Sequence, residues 1–494
     1  MGKNPLFTCL ILISVTFINL PVLSQDLSKN LWPQFRGINC SGVAEPGQTP
    51  PVDLDSPEKL IWKSKLLPGA SSPCIWGDRI FLTGFDKDTQ QLQVMCFNRL
   101  TGKQLWNQNV PAKEIEPYHA SANPADATPV TDGERIYVHF GSYGLLSFDF
   151  EGNKIWTYEI PVNTDKFGSG TSPILAGNTV ILLVRRLATK ERYLLAVDSR
   201  SGELVWKHTL IEAGYSTPVK WGNDVVVHCE GFIGGYSIKD GSRSWYILVK
   251  THGESTPIVY EDNLFVNTWH YLGHLVYPKI NFGIDEFLEQ YDVNLDSLIS
   301  RSEFPENLFP VRKSENAGMS DEVEGKHAQV WSWFDTDKDD FLDKLELQRY
   351  LDFCMAIDHG IVAFKSGGKG NISTSHLLWR ETENVAEVPS PIYFKDRIYV
   401  IKNGGYFSCV NAQTGKLIYK TRIKGTGPYF ASPVAAHDQI YICAHNGKVV
   451  VLAAGDELKI ISNKNFGEKI LASPAMVDNK LYIRTDAFLY AFGD

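Results

Sequence analysis

The stretch Thr128-Pro129-Val130-Thr131-Asp132-Gly133-Glu134-Arg135-Ile136-Tyr137-Val138 reads as a proline-opened strand, a tight turn and a second, β-branched and aromatic strand. Proline has no N–H to give to a ladder, so it belongs at a strand start. Asp-Gly supplies the positive φ that a two-residue hairpin turn requires. Further on, Gly152 marks a second tight turn and Trp156 follows it by four residues. The same order recurs along the chain. Ser/Thr-Pro steps stand at Ser72-Pro73, Thr128-Pro129, Ser172-Pro173, Thr217-Pro218, Thr256-Pro257, Ser390-Pro391, Ser432-Pro433 and Ser473-Pro474, at intervals of 56, 44, 45, 39, 134, 42 and 41 residues.

A period of about forty residues, each unit holding four short strands, signals a propeller. Turn glycines Gly102, Gly152, Gly202, Gly241 and Gly415 are followed by Trp106, Trp156, Trp206, Trp245 and Tyr419, with Trp379 in the matching place of the long interval. Six equivalent large aromatics at one turn offset are packing groups between neighbouring sheets, not a cofactor platform. The last unit stops at Leu489-Tyr490-Ala491-Phe492 without a fourth strand, while Leu60-Ile61-Trp62 near the start is a fourth strand without a unit. Pairing the two would remove both free edges. The expectation is an all-β, eight-bladed β-propeller closed by an N-terminal strand.

The turn pattern of Asn98-Arg99-Leu100-Thr101-Gly102-Lys103-Gln104-Leu105-Trp106, repeated from Asp198 to Trp206, resembles the repeat of pyrroloquinoline quinone (PQQ) dehydrogenases and of the outer-membrane assembly lipoprotein family BamB. The opening Trp32-Pro33-Gln34-Phe35-Arg36-Gly37 is similar to the start of exported PQQ-like repeat proteins. The resemblance spans residues 32 to about 270 and 360 to 494, and it implies the propeller fold more than any activity. In the PQQ alcohol dehydrogenases it further implies a quinone at the axis beneath a disulfide of adjacent cysteines, held with Ca2+ by acidic residues, and an aspartate base. No two cysteines of this chain are adjacent, which argues against PQQ.

Composition agrees with an exported globular protein: 494 residues, 43% hydrophobic, 21% charged and 12% aromatic. Lys3, the apolar residues 6–20 and the small-residue site Val22-Leu23-Ser24 form a secretion signal cleaved near Ser24, leaving a periplasmic or secreted protein. No later run is long enough to span a bilayer. Seven cysteines beyond the signal, Cys40, Cys74, Cys96, Cys229, Cys354, Cys409 and Cys443, have no close spacing and sit in strand-like runs, as buried thiols do, with one or two disulfides left open. A basic patch suited to nucleic acid is lacking.

The long interval holds an insertion of opposite character. Residues 284–352 carry 18 Asp and Glu against 7 Lys and Arg, whereas the whole chain is only −9. The organisation expected is residues 1–24 signal, 25–270 first part of the propeller, 271–359 a small α-helical EF-hand pair, and 360–494 the second part. Two twelve-residue loops carry oxygen donors at the alternate positions that a hard cation such as Ca2+ takes. The first offers Asp292, Asn294, Asp296, the carbonyl of Leu298, Ser300 and Glu303; the second offers Asp335, Asp337, Asp339, the carbonyl of Phe341, Asp343 and Glu346. Val330, Trp333 and Phe334 precede the second loop at helical spacing. Ser297 and Asp340 stand at the sixth position, where glycine is usual. Two Ca2+ are expected.

Side chains just before the proline steps should face the axis: His119, Asn123, Asp126, Tyr215, His252, Glu254 and Tyr429. They can bind a ligand or move a proton. No nucleophile turn with a serine triad and no phosphate-binding glycine loop is present, so no catalytic residue is assigned. The favoured function is a calcium-binding propeller that serves as a non-catalytic binding or scaffolding module for a protein or glycan. The alternative is a PQQ-dependent quinoprotein oxidoreductase with its site at the axis.

Overall fold

In a computed structural model, which describes residue 2 and residues 31–186, 189–270, 275–276, 278, 280, 282–309, 311–312, 331, 334–423 and 427–494, the chain forms an eight-bladed β-propeller with short helices in the insertion. The secretion signal apart from residue 2, and the helix-spaced Val330 and Trp333, lie outside the described residues.

Each blade is a meander of four antiparallel strands. In the third blade Ile174–Ala176, Thr179–Arg186, Glu191–Asp198 and Leu204–Thr209 follow in sequence order. The eighth sheet runs Leu60–Lys65, Phe488–Phe492, Lys480–Arg484, Ala475–Val477, so one of its strands comes from the start of the chain. There Trp62 lies opposite Ala491 and Lys65 opposite Phe488.

The Ser/Thr-Pro steps do more than begin strands. The backbone N–H of Ser72 donates to Thr128 Oγ1 (2.9 Å) and that of Thr128 to Ser172 Oγ (2.9 Å). The series continues from Ser172 to Thr217 (3.3 Å), Thr217 to Thr256 (3.2 Å), Thr256 to Ser390 (2.8 Å) and Ser390 to Ser432 (3.0 Å). Ser432 then donates to Ser473 (2.9 Å), and Ser473 returns to Ser72 (3.1 Å). All eight residues are buried. Eight hydrogen bonds therefore form one closed circle around the axis, each satisfying a buried N–H that would otherwise carry a desolvation cost. A hydroxyl is needed at every step, which is why serine or threonine precedes each proline.

Blade-to-blade packing is carried by the fourth-strand aromatics. Trp62 Nε1 donates to Arg99 O (3.0 Å), Trp106 to Phe150 O (2.8 Å), Trp156 to Ser199 O (3.0 Å), Trp206 to Ile238 O (2.9 Å) and Trp379 to Ala412 O (2.9 Å), always in the next blade. The indole lies on the turn glycine there: a Cβ on Gly202 would stand 2.6 Å from Trp156, and φ is +73°. Two blades depart. Trp245 donates instead to Asp224 in its own blade (2.9 Å), and Gly370–Asn371 pairs parallel to Trp245 and Tyr246. In the seventh blade the matching register position is Ser462, opposite Val451.

Residues 31–44 run inside the ring of innermost strands. Leu31–Trp32 pairs with Cys74–Trp76, Pro33 O accepts from Thr131 N (2.9 Å), and Val43 bridges Ala435. Arg36, fully buried, donates to Pro391 O (2.6 Å). One short segment thus touches the first, second, sixth and seventh blades and obstructs the channel.

The insertion leaves the fifth sheet between Asn263–Thr268 and Gly360–Lys365, which are paired neighbours. It contains the helices Ile284–Tyr291 and Lys344–Met355 around Phe287, Phe304, Trp331, Phe334, Leu347 and Tyr350. Arg349 and Arg192 both pair with buried Glu212 (2.6 and 2.9 Å), joining the second helix to the third blade and the loop after it. All seven cysteines outside the signal are free thiols; six are buried, and burial pushes the Cys40 thiol up to about 12.

Candidate functional site

Two places gather polar chemistry. The first is the pair of acidic loops. In the second loop carboxylate oxygens of Asp335, Asp337 and Glu346 come within 4.8 Å of one another. Asp335 is buried and is held by Asp339 N and Asp340 N (3.2 Å each). Glu346 is buried as well, accepting from Thr336 N (2.7 Å) and Thr336 Oγ1 (2.6 Å), while its own N–H donates to Asp343 (2.8 Å) to cap the helix. Asp339 accepts from Phe341 N (2.9 Å). The cap explains why a carboxylate pair opens this helix: both ends of the Asp343–Glu346 box satisfy orphan N–H groups.

The first loop repeats these backbone bonds. Asp292 accepts from Asp296 N (3.2 Å) and Ser297 N (2.8 Å), Asn294 from Asp296 N (3.0 Å), and Asp296 from Leu298 N (2.8 Å). Glu303 accepts from Val293 N (3.0 Å), Ser300 N (2.9 Å) and Ser300 Oγ (2.6 Å), which holds its carboxyl below the usual range. At the sixth position Ser297 and Asp340 both take a positive φ, +65° and +68°. Aspartate accepts that region more readily than serine. The loops meet through an antiparallel bridge, Ile299 opposite Leu342 and Ser300 opposite Phe341.

The second place is a cavity of about 550 Å³ over the axis. Four of the residues before proline steps reach it, His119, Tyr215, His252 and Glu254, together with the ring residues Thr217, Thr256, Ser390 and Ser432. Asn123, Asp126 and Tyr429 do not. Asp126 accepts from Asn123 N (3.0 Å), and burial lifts its carboxyl to about 7; Tyr429 is wholly buried, its N–H on Asn403 Oδ1 (2.9 Å). The cavity also recruits Arg185, Glu230, Glu387, Trp269 and Phe35. Arg185 and Glu230 stand where second strands end, a position the proline rule does not reach. Glu387 lies three residues before Ser390-Pro391 and could have been found by it.

Around the rim, Arg185 pairs with buried Asp165, lies on the Tyr215 ring (4.6 Å) and approaches Glu230 (3.8 Å). Tyr215 donates to Asp165 (2.7 Å). His252 stacks on His270 (4.4 Å), and burial lowers its imidazole below its ordinary value. Burial, with Glu387 close by, lifts Glu254 to about 8.

Four-stranded blades, a circle of hydroxyls and indoles seated on turn glycines define an eight-bladed PQQ-repeat propeller. The chain belongs to the family described as outer membrane protein assembly factor BamB, which matches residues 52–188, 182–270 and 358–492; the insertion falls between the matched parts. It is 22% identical over 341 residues to the outer membrane protein assembly factor BamB of Moranella endobia (strain PCIT), covering 65% of this chain and 83% of that one. Among solved structures it is similar to BamB from Moraxella catarrhalis (TM-score 0.52, 13% identity, 88% of this chain and 97% of the other). It is also similar to a europium-containing methanol dehydrogenase (TM-score 0.60, 10% identity, 95% and 99%). Likeness at these identities is likeness of fold.

Proposed function

We propose that this protein is an exported, calcium-binding propeller that acts as a non-catalytic binding or scaffolding module for a protein or glycan partner. The observation that carries the reading is the separation of its two polar places. Among the described residues, the carboxylates that converge as a cation site are Asp335, Asp337 and Glu346, in the insertion and away from the axis. Calcium there would be completed by Asp339, the carbonyl of Phe341 and Asp343, with Asp292, Asn294, Asp296, the carbonyl of Leu298, Ser300 and Glu303 holding a second ion. The relatives named for an assembly factor support a protein partner, and the eight-hydroxyl circle supports a rigid platform. Leu60–Lys65, paired with Phe488–Phe492, serves in this reading as the clasp that closes the ring. No described helix is long and apolar enough to cross a membrane.

PQQ is a tricarboxylate, and the axial residues do not suit it. The cavity presents Glu230, Glu254 and Glu387 against one arginine, Arg185, already paired with Asp165. The cysteines nearest in sequence to the axial residues, Cys229 beside Glu230 and Cys40 five residues after Phe35, are separate buried thiols. The protein supplied with PQQ and calcium is expected to show no reduction of an artificial electron acceptor by simple alcohols or aldoses beyond a protein-free control. Turnover that depends on added PQQ would replace the binding-module reading with an oxidoreductase.

A further inference from the structure

The axial cavity has a composition that a scaffold does not require. Its walls carry the aromatic faces of Phe35, Phe167, Tyr215, Trp269 and Phe430, and its charged groups are the three glutamates and Arg185. The arginine is already committed to Asp165 and Tyr215. Glu387 accepts one hydrogen bond, from Asn403 Nδ2 (2.9 Å). Glu254 Oε2 is shielded from solvent and accepts none among the described residues.

We infer that this cavity is a receptor for an organic ammonium cation, presented either by a free amine or by a lysine side chain of a bound partner. An ammonium group carries only donors, and it would meet the carboxylates of Glu254 and Glu387, which line a cavity whose one arginine is already paired. Ring faces stabilise the same charge through their quadrupoles, and most strongly once it is desolvated. The aliphatic stem of a lysine or a diamine would lie against Phe167, Trp269 and Phe430, as long cationic side chains do on apolar surface. The size is right as well, since about 550 Å³ accommodates a side chain or a small ligand but not a folded element. Burial, with Glu387 beside it, accounts for the raised carboxyl of Glu254. Phe35, from the segment that runs inside the ring, forms part of the cavity wall. The inference is independent of calcium in the insertion, because Glu254 and Glu387 take no part in the acidic loops.

Calorimetric titration of the mature protein with cadaverine, with acetyl-Gly-Lys-Gly-amide and with the same peptide acetylated at the lysine amine tests it. Saturable binding of cadaverine alone identifies a free-amine site, and binding of the lysine peptide identifies a partner's side chain; either supports the inference. Affinity should fall by about tenfold or more in Glu254→Gln and in Glu387→Gln, because each removes a carboxylate that lines the cavity. Thermal melting should show both isosteric variants folded, and should one not fold, the other carries the comparison. No binding of cadaverine or the lysine peptide, equal binding of the acetylated peptide, or affinity unchanged in the folded variants would overturn it.

Discussion

Removal of residues 59–67 is expected to abolish cooperative folding of the propeller. The deletion takes away the strand Leu60–Lys65 and leaves Phe488–Phe492 as an exposed sheet edge at the seam between the last and first blades. It also removes Trp62, which is buried and donates to Arg99 O (3.0 Å), and Ser64, which donates to Gly102 O (2.6 Å). Trp62→Ala alone should cost about 3 to 5 kcal/mol, as a buried tryptophan replaced by a cavity does. Denaturant titration reads both changes. A deletion protein as stable as its parent would show that the strand is not what closes the ring.

The same seam depends on Arg484, and Arg484→Met should destabilise the fold by roughly 3 kcal/mol or more, because charge-assisted bonds are lost and buried carbonyls are left without donors. Arg484 is buried in the eighth blade and donates to Ser71 O (3.0 Å), Ser71 Oγ (2.6 Å), Leu67 O (3.1 Å) and Thr83 O (2.8 Å) of the first. Methionine fills much of the same space and carries no donor, so the loss reports the hydrogen bonds more than the packing. Burial draws the guanidinium down to about 9, against the pull of Asp126 and Asp486. Unchanged stability in the methionine variant would mean that the seam is held by its strand pairing and apolar contacts alone.

The blade count was open to reading because it rests on local chemistry: a proline that cannot donate, a turn that needs positive φ, and an aromatic at a fixed offset. The circle of hydroxyls was not, although its residues were in view, since Ser72 and Thr128 bond across 56 positions of sequence. The equivalence of the tryptophans held for Trp106, Trp156, Trp206 and Trp379. It failed for Trp245, where Gly370–Asn371, in the long turn before the last strand of the fifth blade, pairs alongside and the indole donates to Asp224. Phe35 and Arg36 could be placed by resemblance at the start of the chain, but only the fold shows that their segment crosses the channel. At the axis, position before a proline identified His119, Tyr215, His252 and Glu254 and passed over Arg185 and Glu230, which arrive on neighbouring strands. In the acidic loops the donor spacing was legible in both, and the two share their backbone bonds, Asp292 and Asp335 each accepting from the N–H groups four and five residues on.

Calcium is therefore the point on which the account turns. Titration of calcium into the chelator-stripped protein, followed by calorimetry, should show about two ions bound per chain. The tighter site should disappear in Asp335→Ala and in Glu346→Gln, with the far-ultraviolet β signal retained because the insertion is confined to one blade. No heat above the buffer control, or identical binding in both variants, would contradict a calcium-binding propeller.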